Sequence, residues 1–204
     1  MKMPSGRRRS IGLAGGALWL IAISAVFVTW SLLAIGTPIA TAVLVATFVL
    51  LGALVAAGIV VIRAAFSLPA SIVPRTLEEQ KIGRRFAWVV GAEMVAFAVV
   101  NSVIEATGNY ELMPSVNLIV VGIHFFPLAQ IFRVPRYHVT GLLFCVIPIV
   151  TLLTISKQFA VGHALAWYVV PSLGCGLVAS LTAAAGLLEA WQFVSESRSS
   201  TSKS

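Results

Sequence analysis

The chain of 204 residues is 59% hydrophobic and 10% charged, with a mean hydropathy of +0.98. A soluble domain carries about 25% charged residues, so this composition cannot cover a water-facing surface and excludes a sizeable soluble domain. The formal net charge of +7 does not indicate nucleic acid, because the basic residues stand at the ends of apolar runs and form no basic domain of their own.

Lipid is then the solvent, and with about 20 apolar residues per spanning helix the length accommodates six. Residues 1–10, MKMPSGRRRS, form a basic N-terminal segment, and residues 11–35 are the first span. That apolar run is longer than the roughly 7–15 residues of a signal-peptide core, which argues for a retained helix. The same objection meets a twin-arginine reading of Arg7-Arg8-Arg9. Gly36-Thr37-Pro38 is a tight turn, with Pro38 suited to the first position of the next helix. Residues 39–62 form a second span without a charge. Its Gly52/Ala56 and Ala53/Ala57 pairs predict a face for close helix packing.

The connection 63–85 is the longest polar one, broken by Pro69 and Pro74. Thr76 and Glu79 fit a capping box, so a helix is expected to start there and continue through Lys81, Arg84 and Arg85 into the third span, 86–106. These basic residues could meet anionic lipid head groups or serve only as an orientation signal. Residues 108–114 make an acidic turn. The fourth span is 115–132 with Pro127 inside it, and 133–138 is a basic turn. The fifth is 139–155, with a kink expected at Pro148. After a short loop at 157–162 the sixth helix is expected over 163–194. It is too long merely to cross a bilayer, with Pro171, Gly174 and Gly176 as kink points. Residues 195–204, SESRSSTSKS, predict a disordered tail.

Basic residues give the topology. With the N-terminus inside, 13 of the 14 Lys and Arg residues are cytoplasmic and only Lys157 is outside, as the positive-inside rule requires. Trp167 and Tyr168 near one end of the sixth helix, and Trp191 near the other, suit the two interfacial belts.

An ionisable side chain inside a span is a functional candidate by default, since it costs about 2.5–3.5 kcal/mol on insertion scales. Glu93 in the third span and His124 in the fourth are such residues. Short-turn antiparallel helices are neighbours. Counted at about 1.5 Å per residue, the two side chains fall within roughly one turn in depth. Asn101 and Asn117 match in depth toward the outer side, with Glu105 continuing the row. The expected site is therefore Glu93, Asn101, Asn117 and His124, with Glu93 and His124 in direct or water-bridged reach. The row reads in two ways, as a proton or small-solute path or as interhelical glue.

Other chemistry lacks its parts. There is no Asp in the chain, which removes Ser-His-Asp arrangements and Asp-containing metal sites. Ser180 and Thr182 have no nearby base. Haem needs two axial ligands at compatible depth, and His124 has no intramembrane His partner, since His138 and His163 lie at opposite membrane faces. Cys145 and Cys175 sit in apolar runs and read as small packing residues.

The segment from Val121 to Gly141, VGIHFFPLAQIFRVPRYHVTG, resembles a pattern of the form VGxHFxPLAxxFxxPxYxVTG in small bacterial integral membrane proteins. The resemblance implies a bacterial inner-membrane location and carries no activity with it. The sequence as a whole predicts an all-α integral membrane bundle of six transmembrane helices with both termini cytoplasmic. It is expected to be no enzyme, to need no cofactor or metal, and to have lipid as its main partner. A membrane-protein partner or a second copy is the further candidate.

Overall fold

The computed structural model describes residues 6–68 and 77–201. The Pro69 and Pro74 breaks and the capping box, which needs Thr76 and the side chain of Glu79, lie outside the described residues, as do both chain ends. The elements are α1 (Gly6–Ile35), α2 (Pro38–Phe66), α3 (Leu77–Thr107), a 3-10 turn (Tyr110–Leu112), α4 (Met113–Phe132), α5 (Arg136–Thr154), β1 (Ala160–Val161), β2 (Ala164–Leu165) and α6 (Ala166–Thr201). All six α-helices are long and apolar enough to cross a membrane. The protein is an all-α, six-helix multipass membrane protein.

Several boundaries differ from the sequence expectation, and three of the differences bear on the fold. The fourth helix begins at Met113, because Pro114 sits in its first turn, where a missing N–H is not needed. The sixth begins at Ala166, because Gly162 at φ +64° starts a two-residue turn. That turn pairs Ala160 with Leu165 and Val161 with Ala164, and glycine suits its first central position. Finally, α6 continues to Thr201, through most of the tail for which composition predicts disorder. Hydroxyls of Ser195, Ser197 and Ser199 there donate to the carbonyls of Gln192, Phe193 and Glu196.

Contacts group the chain into two compact units. The first joins Met1–Val26, Val45–Pro74 and Ala179–Ser204. Its α1 part buries Ser10, Ala14, Ala17, Ile21 and Ser24, a small-residue stripe at helical spacing. The Ser24 and Ser180 hydroxyls hydrogen-bond at 2.7 Å, so two polar groups satisfy one another in an apolar setting. Ile11 packs on Ala64, Ala65, Leu68 and Val194. The packing face expected on α2 is corrected: Gly52, Ala53, Ala56 and Ala57 are exposed. The buried face instead carries Leu51, Gly58, Val61 and Ala65, and an added Cβ at Gly58 would collide with Leu18.

The second unit joins Phe27–Leu44 and Arg75–Val178. Its tightest contact is between α4 and α5. A Cβ on Gly122 would lie 2.6 Å from Cys145 Sγ and 2.9 Å from the Gly141 carbonyl, and one on Gly141 2.7 Å from the Gly122 carbonyl. Only glycines allow backbones this close. Leu118 and Phe144 are fully buried, and the Phe125 ring packs against Phe144 and Tyr137. On the other side α4 packs against α3, the least buried of the six helices.

The loops of this unit are tied together. His163 N–H donates to the Ile35 carbonyl at 3.3 Å, and the His163 ring covers Gly36, where a Cβ would approach it to 2.9 Å. Trp167 Nε1–H donates to the Ile155 carbonyl at 2.8 Å, and the Ser115 hydroxyl to the Trp167 carbonyl at 3.1 Å. Lys157 forms an ion pair with Glu111. At the opposite end of α4 the chain reverses through Arg133, held in the left-handed region at φ 55° and ψ 43°. That conformation costs an L-residue about 1–2 kcal/mol.

Gly122→Ala or Gly141→Ala is expected to cost about 1–3 kcal/mol, as overpacking does, seen as a lowered unfolding temperature in detergent. Gly52→Ala, where an added Cβ meets nothing within 4 Å, is expected to leave that temperature unchanged or raise it.

Candidate functional site

The site is built on the α3–α4 pair. α3 ends on Gly108 at φ +69°. The Asn109 N–H bonds to the Ile104 carbonyl and the Gly108 N–H to the Glu105 carbonyl, the two bonds of a Schellman ending. The 3-10 turn then sends α4 back alongside. At the far end Phe86 and Phe132 pack with ring centroids 5.7 Å apart. These two constraints set the register. Glu93 lies seven residues after Phe86, and His124 eight before Phe132. Eight residues further along α3 is Asn101, and seven back along α4 is Asn117, so the same register brings the two amides level.

Glu93 and His124 meet. His124 Nδ1 lies 3.3 Å from Glu93 Oε2, with the side chains only 11% and 16% exposed respectively. The approach is out of line for a hydrogen bond, and Nδ1 ends without a hydrogen-bond partner. The imidazole thus stands against the carboxylate across the α3–α4 seam without a direct hydrogen bond to it.

Asn101 and Asn117 are half-buried, and the Oδ1 atom of each is buried without a hydrogen-bond partner among the described residues. An unsatisfied buried acceptor costs about 1–3 kcal/mol, so these amides are not a closed pair that clips the helices together. Glu105, expected to extend the row, is exposed and stands outside the enclosed part of the seam. Among the described residues no group of three His, Cys, Asp or Glu could hold a metal ion. Cys145 and Cys175 are free thiols, with Cys145 Sγ 3.8 Å from the Ile119 carbonyl.

Chemically, the seam offers one acid, one imidazole and two amides, with no nucleophile beside a base. It can hold a proton, move it between two side chains, or hydrogen-bond a small polar guest. Depth counting expected Glu93 and His124 to approach one another, and they do.

No family model, curated protein or solved structure matches the chain. The distinctive segment from Val121 to Gly141 is explained by its contacts instead. Gly122 and Gly141 form the α4–α5 crossing, and His124 meets Glu93. Phe125 and Phe126 pack on Tyr137 and His138 respectively, and Pro135 is the N-cap of α5.

A double-mutant cycle of Glu93→Gln and His124→Gln is expected to give a coupling energy of about 0.6 kcal/mol and no more than about 1.7, the range for polar pairs between membrane helices. Unfolding titrations in mixed micelles measure it. Strict additivity would mean that the close approach carries no interaction.

Proposed function

We propose that this is a non-enzymatic multipass protein of the bacterial cytoplasmic membrane that moves protons, or a small solute coupled to them, along the α3–α4 seam. The observation that carries the reading is the 3.3 Å approach of His124 Nδ1 to Glu93 Oε2 within apolar spans. Intramembrane acids and imidazoles at such distances are the usual parts of proton relays. The unsatisfied amide oxygens of Asn101 and Asn117 support it, because a hydrated or guest-binding path gives buried acceptors the partners that the protein does not. Orientation rests on charge. With both ends cytoplasmic, all basic residues but Lys157 fall inside, which satisfies the positive-inside rule.

A second reading, a structural subunit that packs with other membrane proteins or with its own copy, is favoured by α3. Trp88, Val95, Val99 and Val103 on this helix are each more than half exposed. A polar seam then steadies a helix whose outer side faces a partner.

The two readings separate in liposomes under a pH gradient. Glu93→Gln and His124→Ala are each expected to reduce proton flux to the level of protein-free vesicles, with folding verified by unfolding temperature. Equal flux in the parent and both variants would sink the transport reading.

A further inference from the structure

The end of the α3–α4 pair opposite the Glu111–Lys157 ion pair gathers charge. The Phe86–Phe132 contact brings the residues just before Phe86 level with those just after Phe132. Lys81, Arg84, Arg85 and Arg133 are exposed there. Arg136, in the first turn of α5, holds its guanidinium 5.9 Å from the Tyr137 ring centroid. Beneath this cluster Phe86 and Phe132 are themselves 41% and 44% exposed, so cationic heads stand directly over an apolar aromatic step.

Charge alone would serve as an orientation signal, and such a signal works from any backbone conformation. Arg133 is different. It occupies the left-handed position that ends α4, where Val134 N–H reaches back to the Ala129 carbonyl and where glycine or asparagine is the relaxed choice. Among the described residues it is the one non-glycine with a positive φ. Strain held at one residue is a pointer to a positional role, and here the strained residue carries a guanidinium, the side chain whose fork matches phosphate oxygens. We propose that Arg133, with Lys81, Arg84, Arg85 and Arg136, binds the phosphodiester of an anionic phospholipid head group, whose acyl chains lie along Phe86 and Phe132.

The test uses the purified full chain in a neutral detergent, titrated with short-chain phosphatidylglycerol and read by native mass spectrometry and unfolding temperature. The lipid is expected to bind and to raise the unfolding temperature, whereas inorganic phosphate and glycerol phosphate do neither. Arg133→Gly is expected to raise the unfolding temperature without lipid, by relieving the backbone. It should also weaken lipid binding about five-fold, the loss for one basic residue at an anionic surface. Arg133→Lys keeps the strain and most of the affinity. Arg84→Gln with Arg85→Gln should cost about 25-fold on the same scale. Lys157→Gln, an equal change of charge at the other end of α4, should leave affinity as it is. Equal losses in Arg133→Gly and Lys157→Gln would reduce the effect to bulk charge and overturn the site. Equal stabilisation by inorganic phosphate would overturn the lipid assignment, and absence of lipid binding would overturn both.

Discussion

In lipid no hydrophobic force pushes helices together, so association rests on how closely backbones can approach and on the few polar groups between them. The Gly122–Gly141 crossing is where the second unit meets that requirement. With two carbonyls lying where Cβ atoms would otherwise be, α4 and α5 behave as one plate. Everything that positions His124 is then supplied by a helix that cannot shift against α5 without a clash. The imidazole is offered to α3 from a rigid side, and α3, with little burial of its own, takes its register from the Gly108 ending and the Phe86–Phe132 contact.

The two units handle polarity in opposite ways. In the first, Ser24 and Ser180 satisfy each other in a stripe of alanines, which is a structural use of hydroxyls. In the second, the α3–α4 seam keeps a carboxylate and an imidazole in contact but out of line, and leaves two amide oxygens unsatisfied. Full satisfaction would give a better clip and a poorer path. Three buried polar atoms of the seam, on Asn101, Asn117 and His124, thus lack a hydrogen-bond partner among the described residues.

Much of this was legible in the residues, and the limits are physical. Span existence, the antiparallel pairing of α3 and α4, and the meeting of Glu93 with His124 follow from apolar run length, one short turn and a constant rise per residue. Which face of an apolar helix packs does not follow, because in lipid both faces are apolar. The Gly52/Ala56 and Ala53/Ala57 spacing on α2 is a statistical product of an alanine-rich run, and Gly58, directly after Ala57, is the one that fits beneath Leu18. The hairpin before α6 was missed because Ala160–Leu165 is too short to show strand periodicity. The single signal for it is Gly162 next to a polar residue.

The hairpin and the serine pair also bear on the order in which the protein can be assembled. His163 closes on Ile35 and Gly36, and within the first unit Ser24 bonds to Ser180. The Ser24–Ser180 hydrogen bond thus reaches from α1 to α6. A chain delivered to the membrane from its N-terminus must hold α1 there, with Ser24 unmatched and Gly36 uncovered, while four more helices are synthesised. Until α6 is made, α1 rests on its apolar packing on α2, through Ile11 and Leu18, and the polar match of Ser24 comes with Ser180.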